Sequence, residues 1–198
     1  MMKKLRQILF CCTLAAIISG CASSAPSHFY TLSAVPVAVL APQADYSVSV
    51  GPVTVPAVVD RPQIVTKSGP NQVIINEFDR WAAPLKDDIG RVVAEHLSAM
   101  LGTAQVSIFP QSTAVGASYR VAIDILHFDS DMGKAANLDA MWTVKSVKNE
   151  TLHRGRTTLA EATQGAEFDA LVAAHSRALG RLSTEIARAI KEIEAKKP

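Results

Sequence analysis

One cysteine in this chain sits where a thiol would be put to use. Ile18-Ser19-Gly20-Cys21 closes an uncharged run from Ile8 to Ile18, and Lys3, Lys4 and Arg6 precede that run. A positive start, an apolar stretch of roughly 7 to 15 residues and a small residue before the cut are the parts of a secretory signal. The run is too short for a transmembrane helix, which needs about 20 apolar residues. With Gly20 small enough for a signal-peptidase pocket, the pattern reads as a bacterial lipobox. Cleavage falls between Gly20 and Cys21; the thiol carries S-diacylglycerol and the freed amine an N-acyl chain. Each buried CH₂ contributes about 0.8 kcal/mol and one chain alone holds only marginally, so three chains make the attachment effectively permanent. Ala22 and Ser23 follow, with no Asp beside the cysteine. By the sorting rule for lipoproteins as a class, that favours the outer membrane with the domain facing the periplasm.

The remaining reactive residue types form no constellation. Cys11 and Cys12 leave with the signal, so no thiol remains for a disulfide, a thiolate metal site or a nucleophile. His28, His96, His127, His153 and His175 show none of the spacings that hold zinc. His96 and His175 fall beside apolar helical stripes, where a half-buried, hydrogen-bonded imidazole is expected. His127 and Asp129 share a strand face, either as the seed of a site or as a hydrated edge. Asp129-Ser130-Asp131 opens like a calcium loop but lacks the later Gly and Glu. There is no GxSxG elbow, no P-loop and no GxGxxG. The expectation is no enzyme, no metal and no cofactor beyond the acyl groups on Cys21.

The elements that carry these residues follow from periodicity. Of 198 residues, removal of 1–20 leaves 178, enough for one domain with a proper core. Losing Lys3, Lys4 and Arg6 leaves 17 Lys and Arg against 18 Asp and Glu, a near-neutral chain with no basic patch for nucleic acid. Residues 21–28 read as a flexible tether and 29–195 as the domain. Phe29 to Leu32 suggests a short strand, and Pro36 and Pro42 keep Ser33 to Asp45 irregular. Tyr46 to Val55 alternates with a break at Gly51-Pro52, which predicts a bulged strand. Gln63 to Lys67 and Gln72 to Glu77 flank Ser68-Gly69-Pro70-Asn71 and predict a hairpin. Leu85, Ile89, Val92, Val93, Leu97 and Met100 predict a helix entered through Asp79-Arg80-Trp81-Ala82-Ala83-Pro84 and stopped by Gly102. A short strand from Gln105 to Phe109 follows. Tyr119 to Phe128, Leu138 to Val147 and Leu152 to Ala162 predict an antiparallel meander, joined by Asp129–Ala136 and Lys148-Asn149-Glu150. Phe168 to Glu194 predicts a long amphipathic helix. The class is α+β, a mostly antiparallel sheet packed against two amphipathic helices in a single domain.

Two stretches carry interface chemistry. Arg61-Pro62-Gln63 sets a guanidinium and a fixed φ just before a strand, as a docking or subunit-contact turn or as a solvated Arg beside a structural Pro. Arg80-Trp81 pairs residue types favoured at interface hot spots, and Trp serves equally as a core plug over a helix end.

These stretches also carry a resemblance. The lipobox, Phe29-Tyr30-Thr31-Leu32, Gly51-Pro52-Val53, Asp60-Arg61-Pro62-Gln63-Ile64-Val65 and Asp79-Arg80-Trp81-Ala82-Ala83-Pro84-Leu85 together resemble the ABC-type transport auxiliary lipoproteins, the PqiC/YmbA-like family. It is most specific in Arg-Pro-Gln-Ile-Val and Arg-Trp-x-x-Pro-Leu; the C-terminal half matches mostly by pattern. It implies an outer-membrane partner of an MCE-type lipid-transport system that docks an MCE-domain protein rooted in the inner membrane and supports lipid trafficking and envelope integrity. An apolar path for lipid adds the expectation of a homo-oligomeric ring. The other readings are a lipoprotein stabilising a secretion or outer-membrane machine, and a periplasmic enzyme.

Overall fold

The computed structural model describes residues 25–35, 45–111 and 116–197. Gly20 and Cys21, with the signal, lie outside the described residues, as do Pro36 and Pro42. Strand alternation and two helical stripes build an α+β domain. Its strands are β1 (His28–Tyr30), β2 (Val48–Thr54), β3 (Gln63–Gly69), β4 (Gln72–Trp81), β5 (Val106–Ile108), β6 (Tyr119–Asp131), β7 (Ala135–Ser146) and β8 (Thr151–Ala162). Its helices are α1 (Leu85–Leu101) and α2 (Phe168–Ala195).

The strands divide into two sheets, β1-β4-β3 and β5-β2-β6-β7-β8. Both are mixed. The long hairpin pairings β3–β4, β6–β7 and β7–β8 are antiparallel, whereas β1–β4, β2–β5 and β2–β6 are parallel. The predicted antiparallel character therefore holds for the consecutive strands and fails for the crossovers. Parallel pairing needs a long connection, and between β2 and β5 the β3–β4 hairpin and α1 supply it.

The core lies between the larger sheet and the two helices, which pack side by side. Val121, Ile123 and Ile125 of β6 and Leu138, Ala140, Trp142 and Val144 of β7 face inward. Val172, Leu179, Leu182, Ile186 and Ile190 of α2 meet them. Among the described residues no helix is long and apolar enough to cross a membrane.

The predicted bulge in β2 is present. Pairing with β6 shifts between Val50 and Val53, and Gly51 sits at φ 117°, which a side chain would resist. A second bulge was not foreseen. The β6–β7 register shifts between Ile125 and His127, leaving Leu126 and His127 both exposed and turning Phe128 and Ser130 back into the core.

Three boundaries need correction. The first strand is His28–Tyr30 and not Phe29–Leu32. Residues 129–131 and 135–136 belong to strands, because Asp131 to Ala135 makes the turn with Gly133 at φ 67°. Arg80 and Trp81 end β4 and do not enter α1; the helix begins after Pro84, whose carbonyl accepts the N–H groups of Asp87 and Asp88 at 2.9 and 3.1 Å. Asp87 and Asp88 suit the positive end of the helix dipole, and Gly102, at φ 66°, closes α1 as predicted.

The chain after β1 is clamped to α1. Buried Asp88 accepts the Leu32 N–H at 2.7 Å and the Thr31 hydroxyl at 3.1 Å. Arg91 donates to Asp88 at 2.5 Å, to Glu95 at 2.8 Å and to the Leu32 carbonyl at 2.5 Å. Every strong donor and acceptor at this junction has a partner.

Candidate functional site

The two stretches singled out for interface chemistry converge in space. Between them run β3, the turn at Pro70-Asn71 and β4, so the hairpin returns residue 81 to residue 62. The Trp81 N–H donates to the Pro62 carbonyl at 2.7 Å, and the Ala82 N–H to the Tyr30 carbonyl at 2.8 Å. Ahead of them a turn closes on the Pro56 carbonyl, which accepts from Val59 and Asp60 at 3.0 and 3.1 Å. The Arg61 N–H then donates to the Val59 carbonyl at 2.9 Å, fixing where its side chain departs.

The result is an open depression of about 320 Å³ lined by Asp60, Arg61, Pro62, Trp81, Ala82, Ala83, Pro84 and Leu85. Trp81 and Leu85 are buried and form its floor, while Pro62, Ala82, Ala83 and Pro84 stand exposed around it. The α1 N-terminus meets this rim without a side-chain cap.

Trp81 is held from beneath by two rings. Phe128 meets it edge-on at 6.3 Å and His175 at 6.5 Å, and His175 stacks on Phe128 at 4.0 Å. The bulge in β6 makes this packing possible by turning Phe128 inward. His175 is fully buried, with Nε2 2.8 Å from the Ser130 hydroxyl and Nδ1 without a partner. Burial pushes its pKa down to about 3, so the ring is neutral at ordinary pH. His96 is also buried, more deeply than the half-burial expected, and accepts the Val35 N–H at 3.0 Å. Burial lowers its pKa as well.

Arg61 is the polar exception. Its Nε is buried without a hydrogen-bond partner, and its guanidinium joins none of the ion pairs among the described residues. The neighbouring Asp60 carboxylate turns instead to Lys86 at 3.6 Å. A buried donor left unpaired costs about 1–3 kcal/mol, and native structures rarely leave one so. Arg offers a planar fork for carboxylate or phosphate. The depression thus combines an apolar floor with an uncommitted cation.

The other expected interface residues are placed beside the depression. Gln63 and Arg80 are register partners across β3 and β4. Gln63 Nε2 donates to Glu77 Oε2 at 3.1 Å, and Arg80 Nε to the Glu77 carbonyl at 2.7 Å. Both are engaged with Glu77 and do not line the depression. Arg61, Pro62 and Trp81 do. Trp81 is buried as a core plug and also forms the floor of the depression. Asp60, Ala82, Ala83, Pro84 and Leu85 were not expected as lining, although all lie within the two quoted stretches. Asp79, in the second stretch, accepts the Tyr30 hydroxyl at 3.0 Å; burial and that carboxylate push Tyr30 up to about 12.

Elsewhere chemistry is sparse. His127 and Asp129 both face solvent-side, 3.9 Å apart, and Asp129 pairs with Lys67 at 3.1 Å. Asp139 accepts from Arg156 Nε and Nη2 and from the Thr158 hydroxyl, which lowers its pKa to about 2. Among the described residues no three His, Cys, Asp or Glu side chains gather as metal ligands.

No curated protein matches the sequence. Among solved structures, a protein from Xanthomonas campestris aligns with TM-score 0.71 at 19% identity, over 86% of this chain and 100% of its own. A second, uncharacterized protein aligns with TM-score 0.69 at 18% identity, over 84% of this chain and 99% of its own. At these identities the likeness is one of fold. The model of the ABC-type transport auxiliary lipoprotein component family matches residues 30–187, which include the whole depression. The chain therefore belongs to the ABC-type transport auxiliary lipoprotein family, proteins attached to the cell envelope that serve transport systems and are not an enzyme family.

Proposed function

We propose that this chain is an outer-membrane lipoprotein, held by the acyl groups on Cys21 and facing the periplasm. It docks an MCE-domain protein rooted in the inner membrane and so supports lipid movement between the two. The observation that carries this reading is the convergence of Arg61-Pro62 and Trp81 to Leu85 on one depression, with an uncommitted guanidinium over an apolar floor. Partner-binding sites concentrate energy in such places, where an aromatic or Arg anchor sits in a desolvated pocket. A carboxylate beside an apolar residue of the partner would satisfy Arg61 and cover Trp81.

Crosslinking in intact membranes followed by recovery of this lipoprotein tests the reading. An MCE-domain protein is expected with the natural chain, and at least tenfold less of it with Arg61→Ala at an unchanged circular-dichroism spectrum and unfolding midpoint. Recovery of no MCE-domain protein with the natural chain would sink the proposal.

Lipid needs a continuous apolar path, which a domain of this size lines only with copies of itself or by capping a partner's tunnel. We infer a homo-oligomeric ring. Mass measurement of the lipoprotein with its partner checks it: a strict monomer at all concentrations contradicts the ring.

A further inference from the structure

The β3–β4 hairpin is the least covered part of the molecule. Val73, Ile74 and Ile75 stand in succession at 46%, 50% and 41% exposed, so both faces of the strand are open. Phe78 further along β4 and Phe29 on β1 are exposed as well. β1 pairs β4 only from Asp79 to Trp81, so on that side residues 72–78 have no strand neighbour among the described residues. Edge strands are normally guarded by charges, Pro or a cover. Here Gln72 to Asn76 carry no charge. The hairpin is nonetheless held in place: Trp81 roots its base in the core, and Lys67 Nζ bonds Asp129 at 3.1 Å near its tip.

The direction of the chain fixes the side from which the N-terminal segment reaches this surface. His28 stands opposite Asp79 in a parallel pair, so the chain approaches β1 from the side of Gln72, the hairpin tip. Residues 22–27 separate the lipobox cysteine from β1, and the seven steps from Cys21 to His28 can span at most about 25 Å. Seven positions back from Asp79 along β4 is Gln72. A cysteine fixed in a bilayer therefore keeps β1 and the hairpin within a short tether's reach of it, with the tip on the membrane side.

We infer that the β3–β4 hairpin is a second membrane contact, laying Val73, Ile74, Ile75 and Phe78, with Phe29 beside them, onto the lipid surface that holds Cys21. This rests on the lipid-anchor reading and not on the docking partner. The contact stops at the headgroup boundary. An unpaired strand edge has backbone groups that hydrocarbon cannot satisfy, whereas water and headgroups there can. The Arg61 depression lies at the base of the hairpin, away from the tip, and stays open to a partner.

With Cys21 acylated, Ile74→Cys is the one free thiol of the mature protein. An environment-sensitive fluorophore there, in the full lipoprotein reconstituted into phosphatidylethanolamine–phosphatidylglycerol vesicles, reports contact through quenching by nitroxide lipids. Lys191→Cys, near the far end of α2, is the reference, and Val73→Cys repeats the reading should Ile74→Cys misfold. Quenching several-fold stronger at the hairpin than at Lys191 is expected. Vesicle flotation with equal quenching at both would overturn the inference alone, including the case in which a protein partner and not lipid covers the hairpin. Loss of flotation itself would remove the anchor and this inference with it.

Discussion

Two arginines flank the first turns of α1 and meet opposite surroundings. Arg91 donates to Asp88, Glu95 and the Leu32 carbonyl, and its network ties the N-terminal segment to the helix. Arg61, across the helix start, has a buried Nε with no partner. Both are partly buried arginines, so residue type and burial do not separate them. The difference is the presence of a carboxylate: Asp88 is turned toward Arg91, while Asp60 is taken by Lys86. A satisfied network holds the fold; the unsatisfied guanidinium is the one the proposed docking reading assigns to a partner.

That contrast can be broken at several points. The largest effect is at the floor: Trp81→Ala empties the space over Phe128 and His175 and should cost about 3–5 kcal/mol in urea unfolding. It should also abolish docking, so it separates nothing alone but sets the scale. Asp88→Ala comes next. It leaves the Leu32 N–H and the Arg91 fork unpaired and should cost about 2–3 kcal/mol. A loss at Asp88 no larger than at an exposed site would show that the Arg91 junction is not structural.

The buried histidine beneath Trp81 offers a pH axis. Its folded pKa, about 3, lies below the usual 6.5. Above pH 6.5 neither state binds the proton and stability is complete. As pH falls below 6.5 the unfolded chain takes up a proton that the folded chain refuses. Stability then drops by up to about 1.4 kcal/mol per pH unit, down to the folded pKa. His96, lowered in the same direction, adds to this window, while Asp139, held at about 2, adds loss only below the usual carboxylate range. Unfolding at pH 7 and pH 5 should show a steeper loss for the natural chain than for His175→Gln. Equal slopes would contradict a neutral, inaccessible imidazole. Arg61→Met stands last among the losses: it removes a buried donor that has no partner, so it should leave stability unchanged or raise it by up to about 1–3 kcal/mol. Its docking should nevertheless fall at least tenfold, and a large stability loss instead would make Arg61 a second Arg91.

Periodicity made most elements readable before any coordinates. The stripes of α1 and α2, the Gly51 break and the Gly69–Asn71 turn each follow from spacing that local physics enforces. The pairing of β1 with β4 and of β2 with β6 did not follow, because alternation tells which side a residue faces and not which strand lies beside it. The bulge at Leu126-His127 was hidden for a related reason: His127 polar beside Leu126 apolar looks like ordinary alternation. At the site, Arg61 and Trp81 were visible as residue types. Their meeting depends on hairpin register, and a one-residue slip would send Trp81 to the other face. That Gln63 and Arg80 would be occupied by Glu77, and Arg61 left over, depends on which carboxylate each side chain reaches.

The parallel β1–β4 pairing has a mechanical consequence. Any pull transmitted through the residues before His28 acts along the strand, because the chain enters from the hairpin-tip side. Load in that direction shears the His28–Asp79, Phe29–Arg80 and Tyr30–Trp81 pairings together and does not peel them one at a time. Just behind them, the Asp88 and Arg91 bonds to Leu32 act as a second stop. One of the two shortest strands among the described residues is thus oriented as a strain relief, keeping tension on the N-terminus out of the core.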